Sequence, residues 1–160
     1  KKAERSGLQT KIARLFACVG PYLPVDRHFA IGNFIGDVLR RGAIEVFGDG
    51  RAVCTYLYAG DLATWLWRIL ARGEQQRAYN VGSECPHVLA DVAQAVSAAN
   101  GGVNEVVVRS PQGSQPFRPE RYVPSTLRAR SELGLCETVP FDEAIHRTIA
   151  WHRARTAVRR

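Results

Sequence analysis

The sequence holds no methionine and only four cysteines, Cys18, Cys54, Cys85 and Cys136, none in a C-x-x-C pair and none with a histidine at ligand spacing. That spacing argues against a disulfide framework or a zinc site; reduced, cytoplasmic thiols are expected. No apolar run reaches the roughly 18–20 residues that a membrane span needs. The opening Lys1-Lys2-Ala3-Glu4-Arg5 is charged, with no apolar stretch behind it, and does not read as a signal peptide. A glycine-rich phosphate loop of the G-x-x-G-x-x-G type is also absent. Gly48-Asp49-Gly50 and Gly101-Gly102 have the wrong spacing and no strand-to-helix context.

What is present is an ordinary soluble composition: 46% hydrophobic and 23% charged over 160 residues, enough for one domain or a large piece of a bigger one. The net charge of +7 admits nucleic acid, an anionic surface or a phosphate-bearing ligand as partner. Much of that excess lies in the first five residues and in Arg153, Arg155, Arg159 and Arg160, which fits a solvated basic tail. The opening segment reads as the last turn of a helix stopped by Gly7, so a preceding segment is expected.

Along the chain, 11–19 reads as one buried strand closed by Gly20-Pro21. Apolar residues at 31, 34, 35, 38 and 39 give a helical face, stopped by Arg40-Arg41-Gly42. Two β-rich runs, 44–47 and 52–58, flank Gly48-Asp49-Gly50 and suggest a hairpin or tight strand connection. Helices are expected over 61–70, 88–99, 126–133 (capped by Ser125) and 141–153. Strands are expected at 78–81 and 105–109, a short extended piece at 122–124, and a Pro/Gly/Ser-rich loop over 110–120. This alternation argues an α/β fold.

The order of short motifs then carries a resemblance. Arg14-Leu-Phe-Ala-Cys-Val-Gly-Pro21 resembles the R-x-x-N-x-Y-G-P strand end of extended short-chain dehydrogenases of the NAD-dependent epimerase/dehydratase family. His28-Phe29 through Asn33-Phe34-Ile35 resembles the substrate loop and helix start that follow. Gly48-Asp49-Gly50 through Tyr58 and Asp61 is similar to G-D-G-x-x-x-R-[DS]-[FY]-x-Y-x-x-D, and Tyr79-Asn80-Val81-Gly82 to Y-N-[IV]-G. Arg121 to Pro124, Arg128-Ala129, Leu133-Gly134 and Thr148 to Trp151 resemble the closing pattern. Together these pieces span 11–151.

The resemblance implies a Rossmann domain with a smaller C-terminal sugar-nucleotide domain, of which this chain is the C-terminal portion. Residues 1–21 and 103–110 would be remnants of the Rossmann sheet, 22–102 and 111–155 the substrate domain, and 156–160 a basic tail. The implied partners are a nucleoside-diphosphate sugar, the N-terminal Rossmann half and NAD bound by the full-length parent; a parent homodimer is compatible with it. No membrane or nucleic-acid partner is expected. The family's Y-x-x-x-K lies on the helix before the Arg14 strand, its lysine about four helical turns upstream of Gly7, so Lys1 and Lys2 read as surface residues and no catalytic residue is assigned. The implied reaction is a 4,6-dehydration or 4-epimerisation, in which a Tyr/Lys pair removes a proton while hydride passes from C4 to NAD.

Candidate substrate-binding residues are His28, Asn33, Asn80, Arg118 and Arg121. An amide such as Asn80 can both donate and accept; an arginine grips phosphate through two parallel hydrogen bonds. Arg14, within an apolar strand, is expected to be buried, either as a structural ion-pair anchor or close to a ligand phosphate. Asp61 fits a helix N-cap. Two positions depart from the family pattern. Cys54 stands where an arginine holds the diphosphate. Ala17 and Val19 replace the Asn and Tyr of the strand end, giving a smaller, more apolar wall on the nicotinamide side. A second reading, of a different class, is a non-catalytic superfamily member acting as a regulatory or nucleic-acid-binding module. Against it, no Lys/Arg run in the sequence is interleaved with aromatics.

Overall fold

The computed structural model describes residues 8–27, 29–109 and 120–158. The expected opening turn at 1–7 and nearly all of the 110–120 loop lie outside them.

The apolar run over 11–19 forms two strands rather than one: β1 (Ile12–Leu15) and β2 (Cys18–Val19). Between them the chain exchanges one parallel neighbour for another. The Phe16 N–H donates to the Val81 carbonyl at 2.9 Å, and the Leu57 N–H donates to the Ala17 carbonyl at 3.1 Å. Thus β1 pairs with β6 (Ala78–Val81) and β2 with β5 (Leu57–Tyr58). Arg14 is exposed, not buried: β1 has β6 as its sole neighbour among the described residues.

Strand β3 (Ile44–Phe47) pairs in parallel with β8 (Val106–Arg109). Of the two connections expected over 44–58, the hairpin does not form and the tight turn between strands does. Ile44 and Val46, both fully buried, hold β3 in the core. Gly48 and Gly50, at φ 89° and 71°, then turn the chain away rather than back on itself. It continues as β4 (Val53–Cys54), which lies between antiparallel β7 (His87–Val88) and parallel β9 (Arg121–Tyr122).

Five helices are described: α1 (Ala30–Arg40), α2 (Ala59–Arg72), α3 (Leu89–Ala99), α4 (Leu127–Leu133) and α5 (Phe141–Val158). In α1, Ile31, Phe34, Ile35 and Val38 recur at i, i+3, i+4 and i+7 and are all buried. The left-handed residue that ends α1 is Arg41, φ 59°, rather than Gly42; the Gly42 N–H donates to Asp37 O at 2.9 Å. Two apolar cores result. One joins α1, α3, α5 and β3; the other packs Trp65 and Ile69 of α2 against Tyr79, Val81, Ala129 and Leu133.

Two carboxylates fasten this scaffold. Asp61 is not an N-cap, because α2 begins two residues earlier, after Tyr58. It is 4% exposed and accepts from the Thr138 N–H (3.0 Å), the Thr138 hydroxyl (2.5 Å) and the Val139 N–H (3.2 Å), clamping the approach to α5 onto α2. Glu84 does for α4 what Ser125 was expected to do. It accepts from the N–H and hydroxyl of Thr126 and from Arg130, and these bonds, the Thr126 N–H foremost, hold its carboxyl below the usual range.

Candidate functional site

A cleft of about 710 Å³ opens at the carboxyl ends of β1 and β2. Its floor is the strand break itself, Leu15 through Cys18; Gly20 to Pro24 and Phe29 to Ile31 form one side, and Cys54, Tyr56, Leu62 and Tyr122 the other. The break positions these groups: leaving β6 at Phe16 and joining β5 at Cys18 turns Phe16 and Ala17 into the open space. Register places Tyr122 beside Cys54, and the Phe16 and Tyr122 rings lie 4.8 Å apart. Gly20, φ 158°, lets the chain pass close to Ala59 at the start of α2.

The lining residues carry no charged side chain. Their polar atoms are two thiols and three phenols. Burial pushes the Cys54 thiol and the Tyr56 hydroxyl up, Tyr56 strongly. Burial likewise raises the Cys18 thiol. Burial therefore favours the neutral form of both thiols.

The sequence-derived candidates distribute unevenly around this cleft. Ala17 lines the cleft, whereas Val19 is fully buried in the larger core and forms no part of the wall; alternation along β2 turns residue 19 to the opposite side from residue 18. Asn80 is half-buried, and one of its two amide N–H groups donates to the Ser125 carbonyl at 2.8 Å, holding the chain ahead of α4. Arg121 is exposed on β9, immediately before Tyr122 of the cleft wall. Asn33 lines a different depression, with Arg27, Asp37 and Glu45. His28 and Arg118 lie outside the described residues. Position 54 does face the cleft, so the replacement of an expected arginine by Cys54 makes the wall apolar rather than merely shifting a charge. Phe16, Tyr56 and Tyr122 were not singled out from the sequence: aromatic residues within strands read equally well as core.

Fold and cleft together define an α/β unit whose pocket sits beyond the carboxyl ends of parallel strands, the usual ligand position in open α/β sheets. The model of the NAD dependent epimerase/dehydratase family matches residues 1–82, and the chain belongs to that family. UDP-glucuronic acid decarboxylase 1 of Xenopus tropicalis is 24% identical over 150 residues, covering 94% of this chain and 35% of the relative. Among solved structures, epimerase Mth375 of Methanothermobacter thermautotrophicus superposes with TM-score 0.84 at 23% identity, over 98% of this chain and 46% of that one. DesIV, a dTDP-glucose 4,6-dehydratase of Streptomyces venezuelae determined with NAD and TYD bound, gives 0.79 at 22% identity over 98% and 47%. These likenesses establish an extended short-chain dehydrogenase fold. The chain spans about a third of the curated relative's length and about half of the solved chains.

Proposed function

We propose that this chain is the substrate-side portion of an NAD-dependent enzyme acting on a nucleoside-diphosphate sugar, as a 4,6-dehydratase or 4-epimerase. The observation that supports it is the 710 Å³ cleft at the carboxyl ends of β1 and β2, formed by the segments whose motifs resemble the family's substrate strand and loop. In place of the expected division, which put 1–21 and 103–110 on the Rossmann side, this reading assigns β1 and its partner β6 to the Rossmann side of the parent and β3 with its partner β8 to the substrate side.

The residues present do not fit a complete dinucleotide site. No G-x-x-G-x-x-G occurs, and the glycine pairs at 48/50 and 101/102 lie in turns with positive φ rather than at a helix start. The part of this chain is therefore binding and shaping. Ala17 and Phe16 offer a flat apolar wall that keeps water from the reacting face of the sugar. Arg121, with Arg118 and His28, is assigned to the diphosphate, because position 54 no longer supplies a cation. Asn80 retains its carbonyl oxygen as an acceptor for a ligand hydroxyl.

The isolated chain is expected to bind weakly and turn nothing over. The test is incubation of the 160-residue chain with NAD and either dTDP-glucose or UDP-glucose, following product by chromatography, with ligand-detected NMR for binding. NAD-dependent product refutes the substrate-side assignment. Absence of any saturable nucleotide-sugar binding refutes the cleft as the sugar-nucleotide site.

A further inference from the structure

The sequence shows no basic run interleaved with aromatics, yet folding assembles one from distant segments. The C-terminal ends of α1 and α5 lie side by side. Arg41 and Arg153 line one depression of about 790 Å³ between them, and Arg40, His152 and Arg155 line another of about 650 Å³; Thr156 borders both. Beside Arg155 stands Tyr22. Its ring lies 4.5 Å from Trp151, and the Arg155 guanidinium is 5.1 Å from the Trp151 ring and 5.8 Å from that of Tyr22. Tyr22 is 76% exposed, and its backbone sits in the left-handed region at φ 66°. A bulky residue there is strained, so the loop holds this ring on the surface against its backbone preference.

The charges on this face are not cancelled. Its acidic groups are Asp26, which lines the second depression, and Asp37, which pairs with Arg40 at 2.9 Å. Arg153 hydrogen-bonds the neutral Asn100 side chain, and no acid is paired with Arg41 or Arg155 among the described residues. In sequence, the chain ends on two further arginines, Arg159 and Arg160.

We infer that this face, lying across the 22–26 loop from the apolar cleft, binds single-stranded nucleic acid. Arg41, Arg153 and Arg155 track the phosphates, and the open face of Tyr22 stacks a base. Charge alone would suit any polyanion; the exposed, arginine-backed ring is what selects a strand whose bases are free to stack. Tyr22, Leu23 and Pro24 border both this surface and the apolar cleft, whereas the arginines border only this surface, and the inference does not depend on the sugar-nucleotide proposal.

The test is fluorescence anisotropy of a 5′-labelled twelve-nucleotide oligo-U with the 160-residue chain, between 50 and 200 mM salt. Neutralising about three phosphates predicts a slope of log K against log salt of about −2, that is, about twentyfold weaker binding across that range. Arg153→Glu/Arg155→Glu is expected to lose at least about tenfold and flatten the slope. Tyr22→Gly, which suits the left-handed backbone, is expected to lose about fivefold or more with the slope unchanged, while Tyr22→Phe binds as the parent chain does. No saturable binding at 50 mM salt overturns the inference. So does Tyr22→Gly binding like the parent, or equal affinity for duplex DNA or phosphatidylserine vesicles. Circular dichroism melts of each variant identify loss through misfolding; if the double arginine variant misfolds, the Tyr22 pair still decides.

Discussion

Removing the Asp61 carboxylate should detach the approach to α5 from α2. Asp61 is 4% exposed and accepts from two backbone N–H groups and one hydroxyl at 3.0, 3.2 and 2.5 Å. Hydrogen bonds to a charged acceptor contribute about 1.5–3 kcal/mol each. The Thr138 side is exposed, so water recovers part of that, and Asp61→Ala is expected to lose about 3 kcal/mol in all. For a chain of this size that is a fall in Tm of about 6–12 °C. Thr138→Ala removes only the hydroxyl and should lose about 1 kcal/mol. The discriminating assay is the double-mutant cycle by urea denaturation. If the hydroxyl acts through Asp61, the double variant is no worse than Asp61→Ala alone, a coupling of about 1 kcal/mol. Strict additivity, or a Tm shift below about 2 °C for Asp61→Ala, would show that Asp61 acts through the start of α2 instead and would refute the clamp.

Two further outcomes follow from the packing. Gly82→Ala places a Cβ 2.8 Å from Phe16 Cβ and 3.0 Å from Pro124 Cγ, so it should destabilise by about 1–3 kcal/mol and disturb the cleft floor, read as a lower Tm together with altered tyrosine fluorescence. Burial, reinforced by Arg155, depresses the His152 imidazole below its ordinary value. The folded state then favours the neutral ring. Its contribution is complete above about pH 6.5 and is lost as pH falls from there through the folded value. His152→Gln should therefore flatten the loss of urea midpoint between pH 7.5 and 5.5; an unchanged pH profile would contradict this.

Much of the fold was legible in the sequence because it rests on local signals. The apolar spacing of α1, the glycines after α3 and α4, and the 78–81 strand all appear where the residues place them. Failures occurred where a partner distant in sequence decides. Residues 11–19 read as one strand because every side chain suits a strand; only the competition between β6 and β5 for the backbone breaks it at Phe16-Ala17. Arg14 read as buried because its neighbours are apolar, yet exposure depends on which strands flank β1, and a one-dimensional pattern does not contain that.

By itself, then, the sequence determined the family, through the order of its motifs, and it contains no G-x-x-G-x-x-G run, a motif that is read from short spacing alone. Tertiary structure alone decided which side chains meet. It turned Ala17 to the cleft and Val19 to the core, bonded one Asn80 N–H to Ser125, moved Asp61 from cap to clamp, and brought Tyr22 alongside Trp151 and Arg155. The reason is physical: backbone propensity and periodicity act over a few residues, whereas hydrogen-bond satisfaction and apolar burial are settled between segments that only folding makes neighbours.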